Sequence, residues 1–167
     1  YKRQVEVWSH QYGLAILDKT GPLANAADRD HCIQYIVAIG LIFGRLESSD
    51  YEDAVAVDPR IDALRAKMVV REEPRYSAGF IDPAKRSNAN AIRVHFRDGS
   101  STLRLEMEFP VGHPRRRREG LPLLMAKFEQ NLARVYAEPQ RSRIRAACSD
   151  GKRLGVLPVH EWVNLLV

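Results

Sequence analysis

Residues 28–31 place two carboxylates, a guanidinium and an imidazole in a row, with Gln34 and Tyr35 one helical turn further on. If this segment is helical, His31 and Tyr35 are four residues apart and share a face. The start of a helix carries a partial positive charge and free N–H donors, so it suits a carboxylate ligand. The pattern fits such a site and also a capping cluster with a surface histidine, so both interpretations stay open.

His113 and the four consecutive arginines at 115–118 form a second cluster, in a predicted loop that leads into a helix. Guanidinium groups bind carboxylates through two parallel hydrogen bonds and stay charged at any working pH. The run is also compatible with a solvated hinge, with ion pairs to an acidic partner domain, or with a nucleic-acid patch. No aromatic residues are interleaved with the arginines, which argues against the patch.

Other chemistries lack their usual motifs. The five histidines are scattered and Cys32 lies far from Cys148, so no metal-ligand spacing is present. There is no glycine-rich phosphate loop and no Gly-x-Ser-x-Gly elbow. We therefore expect no metal and no cofactor, and two free thiols in a reducing compartment. Asp18 and Lys19, just before Gly21 and Pro22, indicate an ordinary charged turn.

The elements that must position the first cluster are a strand and a series of helices. Alternating apolar residues predict a strand over 5–10, and a short helix follows over 12–18. A longer helix is predicted from Asn25 or Asp28 to about Leu46, and its second half is apolar on nearly every face, which is typical of a buried helix. Its polar start would then project toward a site. The remaining predicted elements of this half are helices over 51–56 and 59–66, a strand over 67–71 and a long loop over 72–90.

The second half of the chain changes character near Pro110. Apolar residues alternate on both sides of an Asp-Gly-Ser-Ser turn, which predicts a β-hairpin over 92–109 with one buried face. Only helices are predicted beyond it, over 122–136, 140–148 and 159–166. The first has an apolar stripe, and the last has Trp162, Val163 and Leu166 inward. The predicted fold class is α+β, a two-layer sandwich with an antiparallel hairpin packed on helices (residues 1–112), followed by a helical C-terminal segment (residues 113–167).

Length and composition limit the size of the core and the kinds of partner and location that the chain can have. The chain has 167 residues, of which 45% are hydrophobic and 28% charged, with a net charge of +5. This is an ordinary globular composition with room for one sizeable core, and the charge favours anionic partners. The longest apolar run, over 36–43, is too short to span a bilayer, and no targeting segment opens the chain, so a cytoplasmic location is predicted. Because the first residue is not Met and a strand begins almost at once, we expect a longer parent protein.

Several segments together resemble the C-terminal part of the MmgE/PrpD family. They follow one another in the family's order along nearly the whole chain, over 16–35, 50–53, 60–65, 82–86, 112–118, 127–134 and 158–162. The resemblance implies a large helical domain, formed mostly by the N-terminal half and absent here, a smaller α+β domain, and a C-terminal return of residues 113–167 to the helical domain. It also implies removal of water from 2-methylcitrate to give 2-methyl-cis-aconitate in propionate catabolism, without an iron–sulfur cluster.

The resemblance also assigns roles to the two clusters. It implies His31 and Tyr35 as catalytic residues, Arg29 as a carboxylate clamp, and His113, Arg115 and Arg116 as further substrate-binding residues reaching the same cleft. The implied partners are a tricarboxylate, the missing helical domain and further copies of the chain, with no nucleic acid and no membrane. The chain alone is expected to be inactive. Alternatives are a relative that acts on another carboxylate, such as cis-aconitate, and a basic module that binds polyanions.

Overall fold

The computed structural model describes residues 2–167. The chain divides into two compact units, one ending at Pro110 and one spanning Val111–Val167. Each unit is described by itself.

The first unit is built on a four-stranded mixed sheet. Its strands are β1 (Lys2–Ser9), β2 (Met68–Glu72), β3 (Asn90–Phe96) and β4 (Leu105–Met107), in the order β2-β1-β3-β4. β1 runs parallel to β2 and antiparallel to β3, with Val5 opposite Val94 and Val7 opposite Ile92. The parallel pair needs a long crossover, which the helices between β1 and β2 provide.

Helices cover one face of this sheet. They are α1 (Gln11–Leu17), α2 (Ala26–Asp30), α3 (Ile33–Phe43), a 3-10 turn (Ser48–Tyr51), α4 (Asp53–Ala56) and α5 (Pro59–Arg65). Val5 and Val7 of β1 pack with Ile39 of α3 and Ile61 of α5 in one buried core. Complete burial of an aliphatic side chain of this size stabilises the fold by about 1.5–3 kcal/mol. The α+β sandwich expected from the sequence is confirmed.

The single helix predicted over 25–46 is wrong, because the chain forms two helices there. α2 ends before His31, and Cys32 adopts an extended backbone that caps α3. At the break the backbone of Cys32 is extended and its side chain is completely buried in the core. α3 then ends at Gly44, which adopts the left-handed conformation that commonly terminates a helix.

The long loop predicted over 72–90 is also wrong, since it contains a helix. α6 (Pro74–Ile81) begins with a proline in its first turn, where the missing N–H costs nothing. Tyr76 of this helix is buried against Trp8 and Ala91, on the face of the sheet opposite the main core. The charged and small residues of this segment predicted a loop, because α6 is stabilised by tertiary packing and not by its own composition.

The predicted hairpin exists, but its second strand is short and its apolar face is open. β3 pairs antiparallel with β4, with Ile92 opposite Leu105. The side chains of Leu103 and Leu105 are 82% and 63% exposed, so the burial predicted for them is wrong. β4 lies at the edge of the sheet, where nothing in residues 2–110 covers that face.

The second unit is helical. It contains a 3-10 turn (Pro114–Arg116) and helices α7 (Arg117–Ala133), α8 (Glu138–Cys148), α9 (Gly151–Val156) and α10 (Val159–Asn164). α7 begins at Arg117 rather than at Pro122, and α9 was not predicted. Leu132 and Ile144 are buried, whereas Leu121, Leu124, Met125 and Val135 are exposed. The inward position predicted for Val163 and Leu166 is wrong, because both are exposed. No helix among residues 2–167 is long and apolar enough to cross a membrane.

Candidate functional site

The first candidate site lies where α2 begins and ends. Asn25 caps this helix by accepting a hydrogen bond from the backbone N–H of Asp28 at 2.9 Å. The Asp28 carboxylate in turn accepts the N–H of Ala24 at 3.0 Å and contacts the Lys19 ammonium at 3.4 Å. The Ala24 hydrogen bond is the main reason why the pKa of Asp28 is lowered from its ordinary value. The start of α2 is therefore already occupied by protein groups.

His31 follows α2 directly and lies at the surface. Its side chain is 55% exposed, and Nδ1 contacts the carboxylate of Asp30. A carboxylate only accepts hydrogen bonds, so this contact places the imidazole proton on Nδ1 and leaves Nε2 as an acceptor in the neutral ring. An imidazole oriented in this way can take up a proton at Nε2.

Tyr35 lies in the core rather than beside His31. Only 2% of its surface is exposed, and its hydroxyl donates to the backbone carbonyl of Asp50 at 2.7 Å. Burial raises the pKa of the phenol above its ordinary value, so the hydroxyl keeps its proton at neutral pH. The shared helix face predicted for His31 and Tyr35 is wrong, because His31 lies outside α3.

Arg29 is buried and its guanidinium is bound within the protein. One terminal nitrogen donates to the carbonyl of Tyr51 at 2.7 Å, and the other pairs with the carboxylate of Asp53 at 2.7 Å. The Asp53 side chain is itself exposed. Arg29 thus fastens the segment at 51–53 to α2, and its predicted role as a carboxylate clamp stays a prediction.

A cavity of about 440 Å³ lies beside this cluster, and the sequence did not indicate it. Lys19, Gln34 and Arg65 contribute to its lining. The amide of Gln34 donates to Asp18 at 2.5 Å, and Arg65 donates to the carbonyl of Gly21 at 2.9 Å. Because Arg65 is distant in sequence from the other two, no local pattern could have grouped them.

The second candidate site lies at the start of the second unit. His113 caps the 3-10 turn by accepting the N–H of Arg115 at 3.2 Å through Nδ1. Arg116 pairs with Glu119 at 2.6 Å, and this hydrogen bond raises the pKa of the guanidinium and lowers that of the carboxyl. Arg115 is exposed. The three residues are close in sequence and structure, and their binding role is an untested prediction.

Arg117 and Lys127 were missed as candidates in the second unit. Both line a cavity of about 490 Å³ between α7 and the preceding segment. The signal that could have found them is the helical spacing of 117, 121, 124 and 127, which places two cations on one face with two leucines between them. Among residues 2–167, no group of three or more His, Cys, Asp or Glu side chains could hold a metal ion.

Comparison with known proteins places the chain in a group of related sequences. Residues 3–150 match the family described as the MmgE/PrpD C-terminal domain. The chain is 50% identical over 161 residues to a 2-methylcitrate dehydratase of Cupriavidus necator, and this match covers 96% of the chain and 33% of the relative. Proteins of the same name from Salmonella typhimurium and Escherichia coli are 51% and 49% identical over 164 residues, with coverage of 98% of the chain and 34% of each relative. The chain spans about a third of the length of these relatives.

Proposed function

The chain belongs to the MmgE/PrpD family, and on that premise we propose that it supplies the C-terminal third of a hydro-lyase that dehydrates 2-methylcitrate. The observation that carries this proposal is the near 50% identity to proteins named 2-methylcitrate dehydratase along almost the entire chain. Such a level of identity extends over the strands, the helices and both candidate sites, rather than over one motif.

The proposed reaction sets clear chemical demands. One C–H bond and one C–O bond of the substrate break, a carbon–carbon double bond forms, and the proton and hydroxyl leave as water. An acceptor must take the proton next to a carboxylate, and a donor must protonate the departing hydroxyl. The three substrate carboxylates and the negative charge that develops during proton removal require cationic and N–H donors.

His31 is the proposed proton-transfer residue of the first unit. The Asp30 carboxylate holds its Nδ1, so Nε2 is the atom that exchanges a proton with the substrate. The exposure of the side chain leaves it accessible to a ligand. General acid–base groups of this kind contribute rate factors of about 10²–10⁴.

Tyr35 is the proposed proton donor. Its raised pKa keeps the phenol protonated, as a donor must be. Its hydroxyl is bound to the carbonyl of Asp50, so donation to a substrate requires that this hydrogen bond be exchanged for one to the leaving hydroxyl. The proposed role therefore includes a local rearrangement of the 3-10 turn that carries Asp50.

Substrate carboxylates are proposed to bind Arg29, His113, Arg115 and Arg116. For Arg29, a substrate carboxylate would take the place of Asp53, whose exposed side chain is free to move away. For Arg116, the ligand competes with Glu119, which is also exposed and three residues further along the chain. Both arginines are thus held in place by carboxylates that a stronger ligand can replace.

The whole enzyme is proposed to be a longer, cytoplasmic polypeptide that needs no metal. Its N-terminal part is proposed to form a helical domain to which residues 113–167 also belong, and residues 1–112 to form the small domain. Copies of the enzyme are proposed to associate. This chain covers only a third of the length of its relatives, which supports the proposal that the whole enzyme has a further N-terminal part.

A substrate panel with the full-length protein tests the proposed function. Dehydration of 2-methylcitrate, citrate and isocitrate is followed by the ultraviolet absorbance of the unsaturated product, in the presence of a metal chelator, and decarboxylation of cis-aconitate is followed by release of carbon dioxide. We expect the highest kcat/KM for 2-methylcitrate and no loss on chelation. Preferred turnover of cis-aconitate would instead identify a relative with another substrate, and salt-sensitive DNA or RNA binding without any turnover would favour a polyanion-binding module.

A further inference from the structure

The 490 Å³ cavity of the second unit has a composition that suits an anionic organic molecule. Two cationic side chains, Arg117 and Lys127, line it, and Leu121, Leu124 and Val111 give it apolar walls. No Asp or Glu contributes to the lining. A cavity with cations, apolar surface and no acidic side chain attracts negative charge and can also bury a hydrocarbon portion.

The walls of this cavity are fixed against each other by a close backbone contact. A Cβ added to Gly120 would lie 2.6 Å from the backbone carbonyl oxygen of Val111, closer than real Cβ atoms come. Glycine at 120 therefore allows the segment at 111–114 to lie directly on α7. The cavity between them is part of the fold of residues 111–127 and does not depend on a flexible loop.

Among residues 2–167, the two cations have no ion-pair or side-chain hydrogen-bond partner. Neither Arg117 nor Lys127 forms an ion pair or side-chain hydrogen bond among the described residues, whereas Arg116 pairs with Glu119 at 2.6 Å and Arg145 with Glu129 at 2.9 Å. Residues 111–167 hold eleven Lys and Arg against five Asp and Glu, a net charge of +6, while residues 1–110 hold fifteen against sixteen. The acidic side chains of this unit are too few to neutralise its cations, so a ligand can bind Arg117 and Lys127 without displacing any carboxylate.

The spacing of the cations indicates a ligand with more than one negative group. Ten residues separate Arg117 from Lys127 on α7, which corresponds to about 15 Å along the helix axis. Because the two residues lie this far apart along α7, a single carboxylate cannot engage both closely. A molecule with two or three carboxylates joined by a short carbon chain can meet both cations and lay that chain against Leu121 and Leu124. The lining contains no Phe, Tyr or Trp on which a nucleic-acid base could stack, which disfavours a polynucleotide.

We propose that Arg117 and Lys127 bind two carboxylates of an organic di- or tricarboxylate in this cavity. The choice of ligand class rests on the proposed function, since a dehydratase of 2-methylcitrate handles a tricarboxylate. Arg117 and Lys127 are thus two binding residues in addition to those that the sequence indicated. The carbon chain of the ligand packs against the apolar walls of the cavity.

Calorimetric titration of the full-length protein with tricarballylate tests this site. Tricarballylate carries three carboxylates but no hydroxyl group, so it cannot be dehydrated and its binding is measured apart from catalysis. Arg117→Gln and Lys127→Gln should each raise its Kd about tenfold or more, since a hydrogen bond to a charged group contributes about 1.5–3 kcal/mol. Lys127→Arg should restore most of the affinity. Arg118→Gln is the matched control, because Arg118 is adjacent in sequence but does not line the cavity.

The outcomes separate this proposal from the proposed function. Equal affinity of the wild type, Arg117→Gln and Lys127→Gln for tricarballylate would overturn the site even if 2-methylcitrate is dehydrated, and so would a wild-type protein that does not bind tricarballylate. Weakened binding in the two variants, in a protein that does not dehydrate 2-methylcitrate, would leave the site standing and overturn the proposed function. Circular dichroism of each variant shows that lost affinity does not arise from unfolding.

Discussion

At the scale of single residues, Tyr35 combines a structural role with a proposed chemical one. Its buried hydroxyl satisfies the carbonyl of Asp50, a residue whose side chain is also completely buried. A buried carbonyl that loses its donor keeps the cost of its desolvation. Substitution of Tyr35 therefore affects both folding and catalysis, and the two effects must be measured separately.

Tyr35→Phe should lower the free energy of unfolding of the 167-residue chain by about 1–3 kcal/mol, because it leaves the Asp50 carbonyl unsatisfied. Urea denaturation followed by circular dichroism measures this change. Tyr51→Phe is the matched control, since its ring stacks on Tyr35 at 6.2 Å but its hydroxyl has no hydrogen bond among the described residues. Equal stability of the two variants would contradict the role assigned to the Tyr35 hydroxyl.

The sequence indicated which residue types to examine but not how they are bonded. His31, Tyr35 and Arg29 were found by proximity along the chain, and the structure shows three different environments for them. Arg29 binds Tyr51 and Asp53, which are more than twenty residues away. Local spacing in the sequence cannot predict such long-range pairs. His31 lies at a helix break between α2 and α3, and the pattern also did not reveal this break.

At the scale of elements, the contact between α7 and the segment before it depends on one glycine. Alanine normally stabilises a helix by about 1 kcal/mol relative to glycine. Gly120→Ala should nevertheless destabilise the second unit by about 1–3 kcal/mol, because its Cβ would meet the Val111 carbonyl at 2.6 Å. Hydrogen exchange of the α7 amides reports this change directly.

Gly155→Ala in α9 is the control for that experiment. An added Cβ at Gly155 meets nothing within 4 Å, so only helix propensity acts there, and a small increase in stability is expected. If Gly120→Ala also slowed exchange in α7, the close contact with Val111 would not exist in solution.

The ion pairs of Glu138 within α8 should make stability depend on pH. Glu138 accepts hydrogen bonds from Arg145 and Ser142, and the Arg145 contact is the main cause of its lowered pKa. A carboxyl whose pKa is lower in the folded state than in the unfolded state stabilises the fold at pH values above its unfolded-state pKa. It loses this contribution as the pH falls through its folded-state pKa. The free energy of unfolding should thus decline as the pH falls below about 4.5, the ordinary pKa of the Glu138 carboxyl.

Glu138→Gln should make that acid decline shallower, because the substituted amide cannot titrate, while Glu161→Gln should retain the wild-type slope. Glu161 has no ion pair among the described residues and serves as the matched control. Chemical denaturation at several pH values between neutrality and about 3 gives both slopes. A decline of the same steepness in Glu138→Gln would show that this carboxyl does not contribute to acid sensitivity.

The elements themselves were predicted unevenly, for physical reasons. β1 and the alternation over 92–96 were evident because one face of each strand is buried, with Val5, Val7 and Val94 in the core. α6 was missed because its stability comes from Tyr76 packing on Trp8 rather than from its own composition. The exposed side of β4 was mistaken for core because alternation records which residues share a face, but not whether that face is covered.

At the scale of the whole molecule, the 167-residue chain leaves apolar surface on α7 open. Leu121, Leu124 and Met125 are each about half exposed, and Val135 just beyond the helix is more so. Contiguous apolar patches of this kind mark surfaces that pack against other protein. This agrees with the proposal that the helical unit packs against a further part of a longer protein.

The chain on its own should therefore self-associate. Sedimentation velocity over a wide concentration range should show a growing fraction of dimers or larger species, and Met125→Lys with Val135→Lys should reduce it because burial of lysine is costly. Val57→Lys, on an exposed apolar residue of the first unit, should leave the association unchanged. A wild-type chain that stays monomeric at every concentration would contradict the prediction.

We propose that this chain contributes proton-transfer chemistry to a dehydratase through His31. The most direct test is the rate of 2-methylcitrate dehydration by the full-length protein with His31→Ala, compared with His160→Ala as an exposed control outside both candidate sites. We expect His31→Ala to lower kcat by about 10²–10⁴ and His160→Ala to retain the wild-type rate. Wild-type turnover in His31→Ala, with 2-methylcitrate dehydrated normally, would contradict it.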